Sequence, residues 1–232
     1  MASKPLIAVI LDENTSVDSL KYEASKRYFD AVARAGGIPF GVPYLPEIVE
    51  ATFERFDGLV SVGGRFSYPD DWYVFDQKSH APQSDRFEIE RSLVRGFLDR
   101  DKPVLGICAG MQMLACLQGC QLSPDVQQLV ANPLEHDRKG ASHAVQVSSG
   151  SKLYDILGTS TLEVNSFHRE AIATLVPSVI ASAHAPDGVI EAIEVPSQKF
   201  ALGIQWHQEL LEPTHPGALI FEGLIRACRP HT

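Results

Sequence analysis

The chain has 232 residues, of which 44% are hydrophobic and 21% charged, and its formal net charge is −9. This length is enough for one sizeable α/β domain, and we expect residues 1–232 to form a single domain. The acidic balance argues against a nucleic-acid-binding surface, which would need clustered basic residues. The chain contains no apolar run of about 18 residues, so no membrane span is predicted.

The first residues, MASKPLIAVILDENTS, contain one lysine and a short apolar run that is followed by acidic residues. This pattern favours a first β-strand over a signal peptide, which would carry a longer apolar segment and a small-residue cleavage site. The four cysteines include no CxxC pair, and they fit a reducing compartment better than a disulfide framework. We therefore expect a cytoplasmic protein without a structural zinc site of cysteines.

Apolar and amphipathic segments alternate through the first half of the chain. Four strands are predicted there, at LIAVIL (6–11), IPFGVP (38–43), DGLVSVGG (57–64) and KPVLGI (102–107). Helices are predicted over residues 17–35, ending at Gly36 and Gly37, around 47–54, over 84–100 and over 109–119. Residues 65–83 are rich in Pro, Asp and aromatic side chains and are expected to be irregular. This alternation indicates a mostly parallel sheet with helices on both faces.

The second half of the chain has a different character. Five strands with short connections are predicted, at HAVQVSS, TLEVNSF, SVIASAHA, GVIEAIEV and FALGIQW, before a final helix PGALIFEGLIRAC. Short connections join antiparallel strands, whereas parallel strands need long crossovers. The expected fold class is therefore α/β, with a mostly parallel central sheet flanked by helices and a smaller mixed or antiparallel sheet in the C-terminal half.

Cys108 lies where the fourth predicted strand meets the following helix, in the sequence GICAGMQML. Gly106 and Gly110 give the G-x-C-x-G spacing of a nucleophile elbow, because glycines avoid side-chain clashes in a sharp strand-to-helix turn. The helix start supplies free amides and a partial positive charge, which favour the thiolate. The alternative interpretation is a small buried structural side chain. The other three cysteines lack this setting and are predicted to be structural: Cys116, Cys120 and Cys228.

A cysteine nucleophile needs a histidine base and a third group that orients the histidine. Among the eight histidines, His207 ends the strand FALGIQW and Glu209 follows two residues later. Residues i and i+2 of an extended chain point the same way, so Glu209 is placed to hydrogen-bond the imidazole. An H-x-E triplet alone is common, but together with Cys108 it predicts a Cys-His-Glu set in which the acid follows the histidine.

This order of residues, with the elbow and the mixed second half, resembles the class I glutamine amidotransferase superfamily. DGLVSVGG is similar to its strand and Gly-Gly loop, LGICAGMQML to its nucleophile motif, VNSFHRE to its V-N-S-x-H segment and GIQWHQE to its G-V-Q-W-H-P-E segment. The DENTS loop and APDGVIEAIE are most similar to the γ-glutamyl-γ-aminobutyrate hydrolase group. Those enzymes cleave the amide between the side-chain carboxyl of glutamate and an amine. The resemblance implies a hydrolase of γ-glutamyl amides in amine catabolism, with no cofactor.

Carried onto this chain, the resemblance implies a role for each residue that matches a motif. Cys108 attacks the γ-carbonyl and forms a γ-glutamyl thioester, His207 transfers the proton, and Glu209 holds the ring. The backbone amides of Gly64 and Ala109 are implied to bind the oxyanion.

The glutamyl end of the substrate is implied to contact a second set of residues. These are Gln112 and the main chain of Asn165, Ser166 and Phe167. His168 is interpreted as a support of this loop rather than as a base.

Several positions depart from the superfamily pattern. Gln208 stands where proline is usual, Glu170 replaces a common glutamine, Cys120 lies where Gly-Gly is common, and Arg65 follows the Gly-Gly loop. None removes a member of the Cys-His-Glu set, but Glu170 adds negative charge near the implied glutamate-binding wall.

FSYPDDWYVFDQ (66–77) is the most individual part of the chain. We hypothesise that its aromatic side chains wall the leaving-group side of the site and select the amine. The residues are Phe66, Tyr68, Trp72 and Tyr73, and Phe75 belongs to the same segment. The alternative is a lid whose aromatic rings pack for stability.

Three other interpretations compete with a free-standing hydrolase. A glutaminase subunit would deliver ammonia to a separate synthetase, and a sensor would keep the scaffold without catalysis. A metal site is weakly indicated, since His136 and His143 lie near Asp137 without a spacing that fixes ligands, and we interpret them as solvent-facing polar residues. The expected partner is a small γ-glutamyl amide, and the sequence leaves a homodimer open.

Overall fold

The computed structural model describes residues 3–13 and 21–229. The strands are β1 (Leu6–Ile10), β2 (Asp12–Glu13), β3 (Tyr22–Glu23), β4 (Ile38–Val42), β5 (Gly58–Ser61), β6 (Val104–Ile107), β7 (Gln121–Ser123), β8 (Ala141–Val147), β9 (Thr161–Ser166), β10 (Ala171–Thr174), β11 (Ile180–His184), β12 (Ile190–Glu194) and β13 (Ala201–Ile204). The α-helices are α1 (Lys26–Arg34), α2 (Val49–Arg55), α3 (Arg86–Asp99), α4 (Ala109–Leu117), α5 (Val126–Leu129), α6 (Lys152–Leu157) and α7 (Leu219–Ala227). Short 3₁₀ turns cover Pro46–Ile48, Asp70–Trp72, Val74–Asp76, Gln208–Leu210 and Pro216–Ala218.

One continuous sheet runs through the described part of the chain in the order β4-β1-β5-β6-β13-β12-β11-β8-β9. Neighbouring strands are parallel from β4 to β13 and antiparallel from β13 to β9. A small separate antiparallel pair is formed by β7 and β10. The expected fold class is confirmed, and the antiparallel strands extend the parallel sheet instead of forming a separate layer.

The two faces of the sheet bury two apolar layers because side chains alternate along each strand. In β1, Ile7 and Val9 face the layer that contains α1 and α7. Ala8 and Ile10 face the opposite layer, which contains α3 and α4. This sandwich holds β5, β6 and β13 side by side, so the turns that follow their carboxyl ends meet at one edge of the sheet.

The first predicted helix was wrong in its extent. Residues 17–20 of the predicted range lie outside the described residues, and Tyr22–Glu23 form a short strand. The helix begins at Lys26, where Ser25 Oγ accepts a hydrogen bond from the Arg27 amide, as an N-cap residue does. Its end before Gly36, which has φ +96°, agrees with the prediction.

Short elements of the second half were not predicted. The helix α6 is six residues long, and β7 and β10 are three and four residues long. Such segments are too short to show a helical or alternating apolar pattern. None of the helices in residues 3–13 and 21–229 is both long enough and apolar enough to cross a bilayer.

Candidate active site

The turn that carries Cys108 between β6 and α4 has the geometry of an elbow. Cys108 has φ 54° and ψ −107°, a conformation that non-glycine residues rarely adopt and that marks functional positions when it occurs. A Cβ atom on Gly110 would lie 2.1 Å from the carbonyl oxygen of Ser61, and one on Gly106 would lie 2.4 Å from that of Gly110. Only glycines allow this close approach, which places the thiol at the edge of the sheet.

The structure brings His207 and Glu209 to the same edge. β13 pairs with β6 in parallel, with Ile204 opposite Ile107, so the residues that follow the two strands meet. His207 Nδ1 lies 2.7 Å from Glu209 Oε1. Because Nδ1 is engaged with the carboxylate, Nε2 is the ring nitrogen available to the Cys108 side chain, which lies close enough to raise the pKa of the imidazole.

The charges around His207 favour its protonated form. Burial lowers the pKa of the imidazole, but the Cys108 and Glu209 side chains raise it, and the resulting pKa is about 11. At neutral pH the site therefore holds an imidazolium next to the Cys108 sulfur, and this imidazolium can supply a proton to a leaving group.

Tyr28, on α1, supports the same set of residues and was not predicted from the sequence. Its hydroxyl accepts a hydrogen bond of 3.2 Å from the Gly63 amide. Burial, and then the Glu209 carboxylate, raises the pKa of the phenol, so Tyr28 stays protonated. A Cβ atom on Gly63 would lie 2.6 Å from His207 Cε1, which shows how closely the Gly-Gly loop packs against the imidazole.

The peptide group between Gly63 and Gly64 is held in place by Arg86 of α3. The guanidinium donates from Nη1 to the Gly63 carbonyl oxygen at 3.0 Å and from Nη2 to that of Val62 at 2.6 Å. The C=O and N–H of a trans peptide point in opposite directions, so anchoring the Gly63 carbonyl sets the direction of the Gly64 amide. Within the described residues, the amides of Gly64 and Ala109 donate no intramolecular hydrogen bond. Both amides are free to bind an anion.

Arg86 is fully buried and its charge is balanced by acidic side chains. Nε lies 2.7 Å from Glu90 Oε2, and Nη1 lies 3.0 Å from Asp12 Oδ1. Ser61, at the end of β5, donates to Glu90 as well. Sequence analysis missed this network, although the i, i+4 pair of Arg86 and Glu90 within an otherwise apolar helix face is a signal that could have revealed it.

Gln112, predicted to bind the glutamyl group, lies one helical turn beyond Cys108 and is almost fully buried. Its Nε2 donates to the Glu170 carbonyl oxygen at 2.9 Å and to Gln205 Oε1 at 3.2 Å. The amide nitrogen is therefore engaged within the protein and links α4 to Glu170, in the loop that follows β9.

Asn165, Ser166 and Phe167, predicted to complete the glutamyl pocket, differ in their contacts and exposure. Asn165 uses its side chain on the backbone of His207, donating from Nδ2 to the carbonyl oxygen at 2.8 Å and accepting at Oδ1 from the amide at 2.9 Å. Ser166 is buried and donates to the His136 carbonyl oxygen, whereas Phe167 is 39% exposed. The side chain of Asn165 is thus placed to hold His207.

The segment 66–77 packs more deeply than the leaving-group hypothesis implies. Three of its five aromatic rings are buried, those of Phe66, Tyr68 and Tyr73, whereas Phe75 is 86% exposed. Trp72 is half-buried and stacks on Tyr68 with ring centroids 5.4 Å apart. The Tyr68 hydroxyl donates to the Ala109 carbonyl oxygen at 2.8 Å, and that of Tyr73 to Glu170 Oε2 at 2.9 Å. These hydrogen bonds attach the segment to Ala109, beside Cys108, and to Glu170, and such packing is typical of a lid.

His136 and His143 do not face solvent, so the sequence-based interpretation of these residues was wrong. The side chain of His136 is fully buried and that of His143 is 7% exposed. Both contact Glu191, whereas Asp137 pairs with Arg169. The fold brings these histidines together from segments that the sequence spacing does not relate.

Comparisons with known proteins identify relatives of this chain. The sequence profile of the family described as Peptidase C26 matches residues 5–209. A gamma-glutamyl-gamma-aminobutyrate hydrolase of Escherichia coli O157:H7 is 29% identical over 247 residues, which cover 99% of this chain and 95% of that protein. Protein NtpR of Enterococcus hirae is 31% identical over 211 residues, which cover 85% of this chain and 84% of NtpR.

Solved structures with similar folds include two glutamine-related proteins. A glutamine amido transferase from Methylobacillus flagellatus has a TM-score of 0.68 at 15% identity and covers 100% of this chain and 98% of its own. The glutaminase domain of Trypanosoma brucei CTPS has a TM-score of 0.67 at 13% identity and covers 97% of this chain and 93% of its own. At these identities the likeness establishes the shared fold.

Proposed function

Because the chain belongs to the Peptidase C26 family, a family of hydrolases, we propose that it is a cysteine-dependent hydrolase of γ-glutamyl amides. The observation that carries the proposal is the meeting of Cys108, His207 and Glu209 at one edge of the sheet. The amides of Gly64 and Ala109 donate no intramolecular hydrogen bond and follow the neighbouring parallel strands β5 and β6, which suits them to an oxyanion hole.

In the first half of the proposed reaction, the Cys108 sulfur attacks the γ-carbonyl carbon and the carbonyl π electrons move to oxygen. The amides of Gly64 and Ala109 stabilise the resulting oxyanion, and one such donor is typically worth about 2.7–4 kcal/mol of barrier. The intermediate collapses when the C–N bond breaks, and protonated His207 gives its proton to the leaving amine. The product on the enzyme is a γ-glutamyl thioester.

In the second half, a water molecule replaces the amine. The neutral imidazole of His207 takes a proton from the water as it attacks the thioester carbonyl, and Glu209 stabilises the imidazolium that forms. The C–S bond breaks, glutamate leaves, and Cys108 and protonated His207 return to their starting state. No step needs an oxidant, a reductant or a cofactor.

The choice of γ-glutamyl amides as the substrate class rests on the relatives. The gamma-glutamyl-gamma-aminobutyrate hydrolase of E. coli O157:H7 aligns with 99% of this chain. The four free thiols of the chain support activity in a reducing, cytoplasmic compartment.

A panel of γ-glutamyl amides with aliphatic, acidic and aromatic amines, together with glutamine, tests the proposal through the release of glutamate. We expect wild-type turnover of at least one amide and loss of turnover in Cys108→Ala. Cys116→Ala is the matched control, because Cys116 is also a buried free thiol on the same helix. Glutamine hydrolysis that starts only when a second protein is added would favour the glutaminase subunit instead.

A further inference from the structure

A second cluster of titratable side chains lies outside the proposed catalytic site. It contains Glu191 of β12, His143 of β8, and His136 and His168 from the loops beside them. His143 Nε2 lies 3.2 Å from Glu191 Oε1, and His136 Nδ1 and His168 Nε2 each lie 3.4 Å from the same oxygen. Three imidazole nitrogens thus surround one carboxylate oxygen.

The inner atoms of this cluster lack hydrogen-bond partners. Among the described residues, unpartnered buried atoms include both oxygens of Glu191, both ring nitrogens of His143 and Nε2 of His168. A buried carboxylate without a hydrogen-bond partner is strongly unfavourable unless a proton or a metal ion balances it, so the cluster is suited to a cation.

The hydrogen-bond partners of the outer ring nitrogens indicate which inner nitrogens can offer a lone pair. His136 Nε2 lies 2.9 Å from Asp187 Oδ2, and His168 Nδ1 lies 3.1 Å from the Glu170 carbonyl oxygen. Both partners can only accept, so these outer nitrogens carry the hydrogen in the neutral rings. His136 Nδ1 also lies 3.3 Å from Ser166 Oγ, a contact that an ion bound to Nδ1 would replace. A carboxylate or carbonyl on the outer nitrogen is the usual second layer around a metal-bound histidine.

His143 is also suited to be a ligand. Both of its ring nitrogens are buried without a hydrogen-bond partner, so either can offer a lone pair to an ion. In a tetrahedral site with metal–ligand distances of about 2.0–2.2 Å, neighbouring ligand atoms lie about 3.4 Å apart. The separations of 3.2 and 3.4 Å from Glu191 Oε1 match this value.

We propose that His136, His143 and Glu191 bind one divalent transition-metal ion, with Zn²⁺ the best fit to these nitrogen and oxygen donors. One ligand atom from each of these three residues lies within 4.8 Å of the other two. His168 is the nearest further donor and completes the coordination after a small approach of its ring.

This ion would be structural, because its ligands come from separate segments and include none of Cys108, His207 and Glu209. It would connect β8 and β12 to the segment that follows β9. In that segment His168 is three residues from Asn165, whose side chain holds the His207 backbone. The metal would therefore stiffen the segment from Asn165 to His168, which positions His207.

Metal analysis of the untagged full-length chain, grown with added Zn²⁺ and purified without chelator, tests the inference independently of activity. We expect one zinc per chain by mass spectrometry, and a melting temperature that falls after chelation and recovers with one equivalent of Zn²⁺. Glu191→Gln keeps the size of the side chain and is expected to abolish stoichiometric binding. His80→Asn, at an exposed histidine outside the cluster, should bind as the wild type does.

Replacement of Zn²⁺ by Co²⁺ gives a readout that does not depend on any variant folding. Tetrahedral coordination produces strong visible absorption, and we expect it to saturate at one Co²⁺ per chain. The alternative to a metal ion is a proton held between Glu191 and the surrounding imidazoles, and this alternative gives no cobalt absorption. Wild-type protein that retains no metal, binds no Co²⁺ and melts at the same temperature with or without Zn²⁺ overturns the inference.

Discussion

The side chain of Asn165 gives the sharpest prediction, because two roles have been considered for this part of the chain. The structure shows a pair of hydrogen bonds to the His207 backbone, of 2.8 and 2.9 Å. Asn165→Leu removes both while keeping a similar volume. If these bonds position the base, the variant should lose kcat and keep nearly the same KM.

The magnitude follows from the two bonds. A typical intramolecular hydrogen bond contributes about 0.5–1.5 kcal/mol net, so the pair contributes about 1–3 kcal/mol. Expressed entirely in the barrier, this corresponds to a fall in kcat of roughly 5- to 150-fold, since about 1.36 kcal/mol is tenfold.

Steady-state kinetics with the best substrate of the γ-glutamyl panel separates the two roles. Thr161→Ala is the matched control, because Thr161 is an exposed residue at the other end of β9 and should leave both constants unchanged. A large rise in KM at constant kcat would show that Asn165 binds substrate with its side chain, and an unchanged kcat would refute the positioning role.

Three further predictions concern the residues around the imidazole. Gly63→Ala places a Cβ atom 2.6 Å from His207 Cε1. We expect kcat to fall at least tenfold (about 1.4 kcal/mol) while the melting temperature stays nearly unchanged. Wild-type activity in this variant would contradict the packing described. Arg86→Met leaves the Glu90 carboxylate buried and unpaired, which should lower the free energy of unfolding by about 3–5 kcal/mol in urea denaturation, and a loss below about 1 kcal/mol would contradict it. The pKa of His207, about 11 in the wild type, should fall in Cys108→Ala when its imidazole is followed by NMR. Because the folded pKa exceeds the unfolded value of about 6.5, the linked stabilisation is fully present below pH 6.5 and is lost as the pH rises through about 11; a wild-type imidazole that titrates near 6.5 would contradict this.

The sequence was informative where local pattern and chemistry coincide. Buried strands such as LIAVIL show as continuous apolar runs, and the glycines around Cys108 are required by the close approach of the backbone. The H-x-E spacing correctly predicted that Glu209 lies beside His207. The assumed reason was wrong, because Gln208–Leu210 form a 3₁₀ turn and not extended chain. These features depend on neighbours in the chain, which the sequence displays directly.

The features that were missed depend on contacts between distant segments. Arg86 lies in an amphipathic helix, and only the tertiary structure shows that it turns inward to the carbonyls of residues 62 and 63. Likewise, His143 and Glu191 are 48 positions apart in the numbering and meet only through the sheet order of β8 and β12. A sequence pattern cannot report such pairs because no fixed spacing connects them.

The most direct measurement is the mass of the peptide that contains Cys108 after acid quenching during turnover. Two amides with different amines should give the same added mass, that of one γ-glutamyl group on Cys108, because the thioester no longer contains the amine. Glutamate release without any adduct on this peptide, together with continued turnover by Cys108→Ala, would contradict the proposed chemistry.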